Sequence, residues 1–454
     1  MESTNAPSHR WQKRHVLLWL VLAGLVCWWR GPDYRRAFEP DFYPPGVVLF
    51  QPDFFQEWAS ARNFFNGLPI YTPHEITLER YLGVRRSAND RFFIEYNAHP
   101  PMSVLLALPF AGLNFADAFA LWNILSLLAL AVSAGLIVYH LNLPFSLWDL
   151  LPAITLLLLC HPFFHQMIHG QMNLVLLLLV TGTWAADRTG RPVLAGVLLG
   201  TATAIKIYPA FLFLYFVVRG RWRAVAMGIV AFVSLTALTA LILGSQAYRD
   251  YFLDVLPRTS VWRTCWHNLS LAGVGFKLFD ARKQLPPIEV HPLLGSPALA
   301  WMGLVFCMIT LTMILYRVLP RLDSPQGADL GFSLCILAML LVGPITWDHY
   351  LLLLALPIAV LWQSYPQGGM GREFLVFFLF ILWWLPQMVI EHGLILLDSG
   401  HSRSTGEWIA GPLETLTALS LPCYALIGLF ALALWTGRRD WPMESTGPAP
   451  DAAA

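Results

Sequence analysis

Apolar residues fall in long blocks separated by short polar stretches: Val16–Trp29, then about 116–140, 147–160, 171–186, 193–218, 222–243, 297–318, 328–343, 348–364, 374–391 and 412–436. Each block predicts a membrane-spanning helix, because hydrocarbon offers no water to satisfy free backbone N–H and C=O groups. Several are shorter than the ~20 residues a straight crossing needs. The block 193–218 carries Lys206-Ile207-Tyr208-Pro209 in its middle, and Pro209 predicts a break that makes it a hairpin of two short helices. Arg188, Arg191, Arg219, Arg221, Arg223, Arg317, Arg321, Arg372, Arg438 and Arg439 flank the blocks, and the positive-inside rule puts them in the cytoplasm. That parity holds if the short run Met102–Leu113 does not cross, giving about twelve spans with both termini inside. Arg10, Lys13 and Arg14 precede the first block with no small-residue cleavage site after it, the pattern of an uncleaved first span.

One polar stretch breaks the pattern. In Gln51–Tyr71, apolar Phe54, Trp58, Ala61, Phe65 and Leu68 recur in steps of three and four, the stripe of an amphipathic helix over 53–66. Asp53 and Gln56 have capping-box spacing, and Gly67 with Pro69 stop the helix. It is too polar to span a bilayer and suited to lie on its surface. It sits in a long first loop, 30–113, which also holds the short helix expected over 102–113. Residues 437–454 are polar and Pro/Ala-rich and predict a disordered cytoplasmic tail.

Composition supports the membrane reading. The 454 residues are 57% hydrophobic and only 13% charged, with 19 Trp, where soluble domains carry about 25% charged residues. A net charge of +1 leaves no basic field for nucleic acid to follow. The cysteines form no C-x-x-C pair, so neither a zinc motif nor a disulfide framework is indicated.

The topology gathers the unusual polar residues on the outer face. Asp53 and Glu57, four apart, project from one side of the helix; Asp53 is either a cap or a general base, and Glu57 is the secondary acid. Lys206 lies within an apolar segment and either binds a phosphate or snorkels to the headgroups. His161, His165 and His169 crowd HPFFHQMIHGQMN with Gln171 and Asn173; without a carboxylate in that segment they read as the lining of an outward cavity rather than a metal site. Asp348 and His349 in Trp347-Asp348-His349-Tyr350 bind phosphate or orient a sugar hydroxyl, or else cap a helix. Asn268, in His267-Asn268-Leu269-Ser270, offers an amide and fits a glycosylation sequon.

The block from His169-Gly170-Gln171-Met172-Asn173 through Ala195-Gly196 and Gly200 to Lys206-Ile207-Tyr208-Pro209 and Arg219-Gly220-Arg221 closely resembles glycosyltransferase family 87, polyprenyl-phosphate-mannose-dependent mannosyltransferases of the GT-C superfamily. The likeness extends to Asp53 before an aromatic-rich helix ending Gly67-Leu68-Pro69-Ile70-Tyr71, to His99-Pro100-Pro101, and to Trp347-Asp348-His349. The resemblance implies an all-α polytopic GT-C fold in a bacterial inner membrane, with no cofactor. It implies a polyprenyl-phosphate-linked hexose donor, a glycolipid or glycan acceptor and an extracytoplasmic active site. It maps the catalytic base to Asp53 and makes Lys206 and His349 the leading contacts for the donor phosphate; Asp348, Gln171, Asn173, His99 and Asn268 complete the candidate substrate-binding residues. The alternative is a transporter or flippase of lipid-linked sugars, which predicts ionisable residues at midplane in several spans and two similar halves; neither is visible.

Overall fold

The computed structural model describes residues 13–39, 47–48, 52–86, 95–280, 288–385 and 408–439. Residues 1–12, the tail beyond 439 and the end of the apolar run at 374–391 lie outside the described residues. The described chain is almost wholly helical. Its strands form two short parallel pairs, Val47–Val48 with Arg85–Arg86 and Ile288–Val290 with Trp408–Ala410.

The helix Pro325–Val342 is the axis of the bundle. Every residue from Leu330 to Val342 is buried, as expected of a helix that is apolar all round. Helices Pro297–Val318, Ala355–Ser364 and Leu421–Arg439 pack around it. At the periphery the pattern inverts. Leu17, Leu18, Trp28 and Trp29 of Lys13–Arg35, Val230, Val233 and Leu241 of Trp222–Leu243, and Met302, Phe306 and Ile309 of Pro297–Val318 are all exposed. So much apolar surface is tolerated only against hydrocarbon, and the protein is an integral membrane protein.

Six described helices are long and apolar enough to cross: His15–Arg35, Phe115–His140, Trp222–Leu243, Pro297–Arg321, Pro325–Val342 and Pro412–Arg438. Leu147–Leu159 and His161–His169, bent by 70°, make a seventh if read as one span. The hairpin expected at 193–218 is present as Pro192–Ile205, then Tyr208–Leu212 and Phe213–Val218, with Lys206 extended at the break. A helix of 14 residues rises only about 21 Å, short of the ~30 Å hydrocarbon core. The run at 348–364 opens as a tight 3₁₀ stretch, Asp348–Leu354, before Ala355–Ser364. The run at 374–391 begins as Met370–Leu379 and passes into a π turn at Phe380–Trp384.

Pro192–Ile205 and Trp222–Leu243 approach closely because Gly196 and Gly200 face the backbone of Ala224 and Gly228, the small-residue contact by which membrane helices associate. A Cβ on Gly200 would strike the Gly228 carbonyl. Gly200→Val should therefore cost about 1–3 kcal/mol by overpacking, read as a lower denaturation midpoint in detergent; an unchanged midpoint would mean the two helices are free to separate.

The helix Phe54–Phe65 corrects one expectation. It does not lie on a surface with its polar side outward. Phe54, Phe55, Trp58, Ala59 and Ala61 are buried, and so are Gln56, Glu57, Ser60 and Asn63. The loop after residue 94 covers the polar side: Asn97 Nδ2 donates to the Gln56 carbonyl at 3.3 Å and to Ser60 Oγ at 3.1 Å, and Gln56 Oε1 accepts from the Ala98 N–H at 3.0 Å. Hydrogen bonds of this kind are what allow polar side chains to be buried. Phe65, at the far end of the predicted stripe, is exposed. The short run 102–113 packs beside this helix as Pro101–Ala107 and the turn Leu108–Phe110.

Polar groups separate towards the two ends of the short helices. At the Arg191 end of Pro192–Ile205, Arg221 pairs with Asp187, which also accepts from Tyr215 Oη at 3.1 Å. Arg188 pairs with Asp329, which takes the Trp184 indole N–H at 2.8 Å. Lys206 lies at the other end of the same helix, among the candidate residues.

Candidate active site

The reversal at Gly170 builds the site. His161–His169 ends there with Gly170 in the left-handed region, φ +63°. A side chain at Gly170 would run into the Phe54 and Phe119 side chains, and its carbonyl is held by the Trp122 indole N–H at 2.7 Å. The turn projects Gln171 between the start of the Phe54–Phe65 helix and the break at Lys206. The Gln171 side-chain N–H donates to Asp53, and Gln171 Oε1 accepts from Lys206 Nζ at 2.9 Å. One amide thus links the carboxylate to the ammonium.

Asp53 occupies the position before the helix, yet its side chain does not cap it. Its oxygens face Gln171, the Gln56 amide at 3.4 Å and His169 Nδ1 at 3.6 Å. Burial alone would raise this carboxyl; the His169 charge and hydrogen bond, the Gln171 amide and nearby His349 outweigh it and hold Asp53 well below the usual carboxylate range. The carboxylate is therefore ionised at neutral pH. A depressed carboxyl contributes stability in full above its unfolded value of ~3.9 and loses it as pH falls through the folded value. Because the partner is His169 in its charged form, the stability difference between wild type and Asp53→Asn should be largest in mildly acidic solution, decline as pH rises and His169 loses its proton, and decline again below about 4 as Asp53 takes one up. Denaturation midpoints across pH test this; a difference that does not vary with pH would contradict it.

Lys206 is buried, and Gln171 takes one of its three donors. Among the described residues no other hydrogen bond reaches its ammonium, which lies 5.0 Å from the Tyr350 ring centroid. Tyr350 stacks on Tyr208 at 4.9 Å, and Tyr208 Oη donates to Asn173 Oδ1 at 3.1 Å. Asn173 donates in turn to Gln166 Oε1 at 3.3 Å. Asn173 thus supports the aromatic wall of the site.

Asp348 and His349 join from the start of the 3₁₀ stretch. The His349 backbone N–H and Nδ1 lie 2.7 and 3.2 Å from Asp348 Oδ1. That contact orients the ring, and the buried Nε2 has no hydrogen-bond partner among the described residues. The His349 ring centroid is 6.5 Å from that of His169. The other Asp348 oxygen meets His165, His161 Nε2 at 3.4 Å and His267 Nε2 at 3.8 Å. Enclosed by imidazoles, the anionic Asp348 is placed to hold histidines rather than to touch a phosphate itself.

Glu57 pairs with His99, whose carbonyl accepts from Tyr71 Oη at 2.8 Å. Glu57 and Asp53 are the carboxylates whose charge reaches Lys206. Asn268 stands apart in its bonding. Its amide donates to the Arg263 and Pro344 carbonyls at 3.1 and 2.8 Å and accepts from Ser270 and the Thr346 N–H. Fully buried, it ties the loop after Cys265 to the approach to Asp348, and its sequon is closed to modification.

The sequence profile of glycosyltransferase family 87 matches residues 97–344, more than half of the chain. The chain belongs to that family. The family 87 match contains His99, Gln171, Asn173, Lys206 and Asn268, while Asp53, Asp348 and His349 lie outside it. Two curated relatives bear names of one kind. The polyprenol-phosphate-mannose-dependent alpha-(1-2)-phosphatidylinositol pentamannoside mannosyltransferase of Mycolicibacterium smegmatis is 30% identical over 182 residues, 40% of each chain. The polyprenol-phosphate-mannose-dependent alpha-(1-2)-phosphatidylinositol mannoside mannosyltransferase of Mycobacterium tuberculosis is 23% identical over 353 residues, 74% of this chain and 73% of the relative. The match to the first covers about two fifths of that relative's length. No solved structure matches the chain significantly.

Proposed function

We propose that this family 87 member is an inverting membrane glycosyltransferase of GT-C architecture. It moves a hexose, mannose by analogy with the relatives' names, from a polyprenyl-phosphate donor to a hydroxyl of a glycolipid or glycan acceptor. The carrying observation is the Asp53–Gln171–Lys206 chain, which puts a fixed anion and an under-bonded cation two hydrogen bonds apart. Transfer needs both. The acceptor oxygen attacks C1 of the sugar, the C1–O bond to phosphate breaks, and the configuration at C1 inverts. The acceptor proton passes to Asp53, and the polyprenyl phosphate leaves as an anion facing Lys206, with His349 Nε2 as a second contact. A phosphate leaves without protonation, so one acid suffices where glycoside hydrolysis requires two.

A carboxyl held so low is a weak base at rest. The acceptor hydroxyl acidifies as its oxygen bonds to C1, so proton transfer late in that step matches a low base. Displacement of the Gln171 amide by the acceptor would strengthen Asp53 at the same moment. Lys206 acts where negative charge grows on the leaving phosphate, the place where a preorganised cation accelerates reaction most. The extracytoplasmic placement of this centre rests on the segregation of Arg188 and Arg221 to the opposite end of the short helices. On this reading residues 1–15 are the cytoplasmic N-terminus, 16–436 the transmembrane domain with its 30–113 outer loop, and 437–454 the cytoplasmic tail.

The test is donor consumption by the purified protein in detergent with a polyprenyl-phosphate mannose and phosphatidylinositol mannosides. Release of polyprenyl phosphate together with a mannosylated lipid of inverted anomeric configuration supports the proposal. Movement of donor across proteoliposomes with no transfer would return the transporter reading.

A further inference from the structure

The histidine segment lacks a carboxylate of its own, and the fold supplies one. His161 and His165 are four residues apart on His161–His169 and so share one face. The stretch Asp348–Leu354 packs against that helix and brings Asp348 to the same face. His161 Nε2 or Nδ1, the matching His165 nitrogen and an Asp348 oxygen all lie within 4.8 Å of one another. A fourth group, His267 Nε2, lies 3.8 Å from Asp348 Oδ2, against 3.4 Å for His161 Nε2. Tetrahedral zinc held at its usual bond lengths sets neighbouring ligand atoms roughly 3.3–3.5 Å apart.

The bonding of these atoms is the second observation. His161 Nε2 and His267 Nε2 are buried with no hydrogen bond to satisfy them among the described residues, and both are near Asp348 Oδ2, whose close partner is His165. Polar atoms left so are expensive to bury. Meanwhile Asp348 Oδ1 is anchored by the His349 N–H. One carboxylate oxygen held by the protein and the other aimed at a group of imidazoles is the pattern that orients a metal-binding carboxylate.

We infer that His161, His165, Asp348 and His267 form a buried site for one divalent transition ion of the Zn²⁺ class. Three imidazoles and a carboxylate suit a borderline cation, and they do not suit Mg²⁺ or Ca²⁺, which take oxygen ligands. His161, His165 and Asp348 are the compact set, and His267, held near Asp348 alone, closes the coordination by a small ring shift onto the ion, which makes the ion a clamp. It joins the His161–His169 helix, the loop at His267 and the backbone before His349, and thereby sets where His349 stands. The inference is independent of the transfer reaction, because metal content is measured without any substrate.

The experiment uses the full-length protein in detergent with any purification tag removed. Elemental analysis of wild type should find about one zinc-class ion per chain. Removal by a chelator and reloading with Co²⁺ should give the visible absorption of tetrahedral cobalt, and reloading with Zn²⁺ should raise the melting temperature. His161→Ala/His165→Ala and Asp348→Asn should lose the ion and the cobalt spectrum. His169→Ala, one turn along the same helix, should keep both. Wild type that holds less than about a tenth of an ion per chain, both as purified and after reloading, overturns the site. So does a folded double variant that binds as much as wild type. If the variants do not fold, the wild-type removal and reloading cycle decides alone.

Discussion

Asp53→Asn should fold, bind donor and lose roughly 10²–10⁴ in turnover. An amide has no lone pair that takes and holds a proton at neutral pH, whereas its shape still fits between Gln171 and His169. A purely structural Asp53 would give the opposite result, activity retained. The structure also sharpens the companion variant. A capping residue replaced by Ala costs about 0.5–2 kcal/mol, but the Asp53 side chain makes no capping bond. Asp53→Ala should therefore differ from Asp53→Asn in melting temperature only by the Gln171 and Gln56 hydrogen bonds that an Asn oxygen can keep, and both should be equally slow. Glu57→Gln is the control for the choice of acid, because Glu57 also lies near Lys206 but is committed to His99. Transfer rates and melting temperatures for the three variants decide it. An active Asp53→Asn beside an inactive Glu57→Gln would assign the base to Glu57.

Much of this centre was legible because its residues are costly where they stand. A lysine inside IKIYPAFLFLYF, an acid at the head of an aromatic helix and an Asp-His pair at the start of an apolar run each contradict their surroundings. Proline likewise marked the break at Lys206, which the structure places just before Pro209. What the sequence hid are relations between distant segments. Nothing local to HPFFHQMIH announces that Asp348 will supply its missing carboxylate, 183 positions after His165. The polar side of Phe54–Phe65 looked solvent-facing because its partners, Asn97 and Ala98, come some forty residues later. The Asn in front of His99 was the available signal, since a buried amide is a natural partner for an orphaned helix side. The unwinding at Asp348–Leu354 and Phe380–Trp384 leaves no mark in the hydrophobic periodicity. Six described helices have the length by which a crossing is recognised, and short or bent helices complete the bundle between them.

Lys206→Met should weaken donor binding ten- to a hundredfold, because a charge-assisted hydrogen bond to phosphate contributes about 1.5–3 kcal/mol. Met keeps the length and apolar stem of lysine and removes only the charge. The structure adds an expectation about stability. Lys206 is buried with one hydrogen bond, to an amide that also serves Asp53. Desolvating an ammonium with so little return is unfavourable, and relief of that cost offsets the loss of one hydrogen bond to Gln171 Oε1. Lys206→Met should thus melt at or above the wild-type temperature while binding donor worse. That opposition distinguishes a residue kept for its ligand from one kept for the fold. The Gln171 bridge gives a second handle. If Gln171 only carries Lys206 to Asp53, then Gln171→Leu should reduce turnover more than donor affinity, while Lys206→Met reduces affinity first. Equilibrium binding of a polyprenyl-phosphate mannose, measured beside transfer rates, separates the two. Donor affinity unchanged in Lys206→Met, with a fall in melting temperature, would reduce Lys206 to a structural partner of Gln171 and leave the phosphate contact to His349.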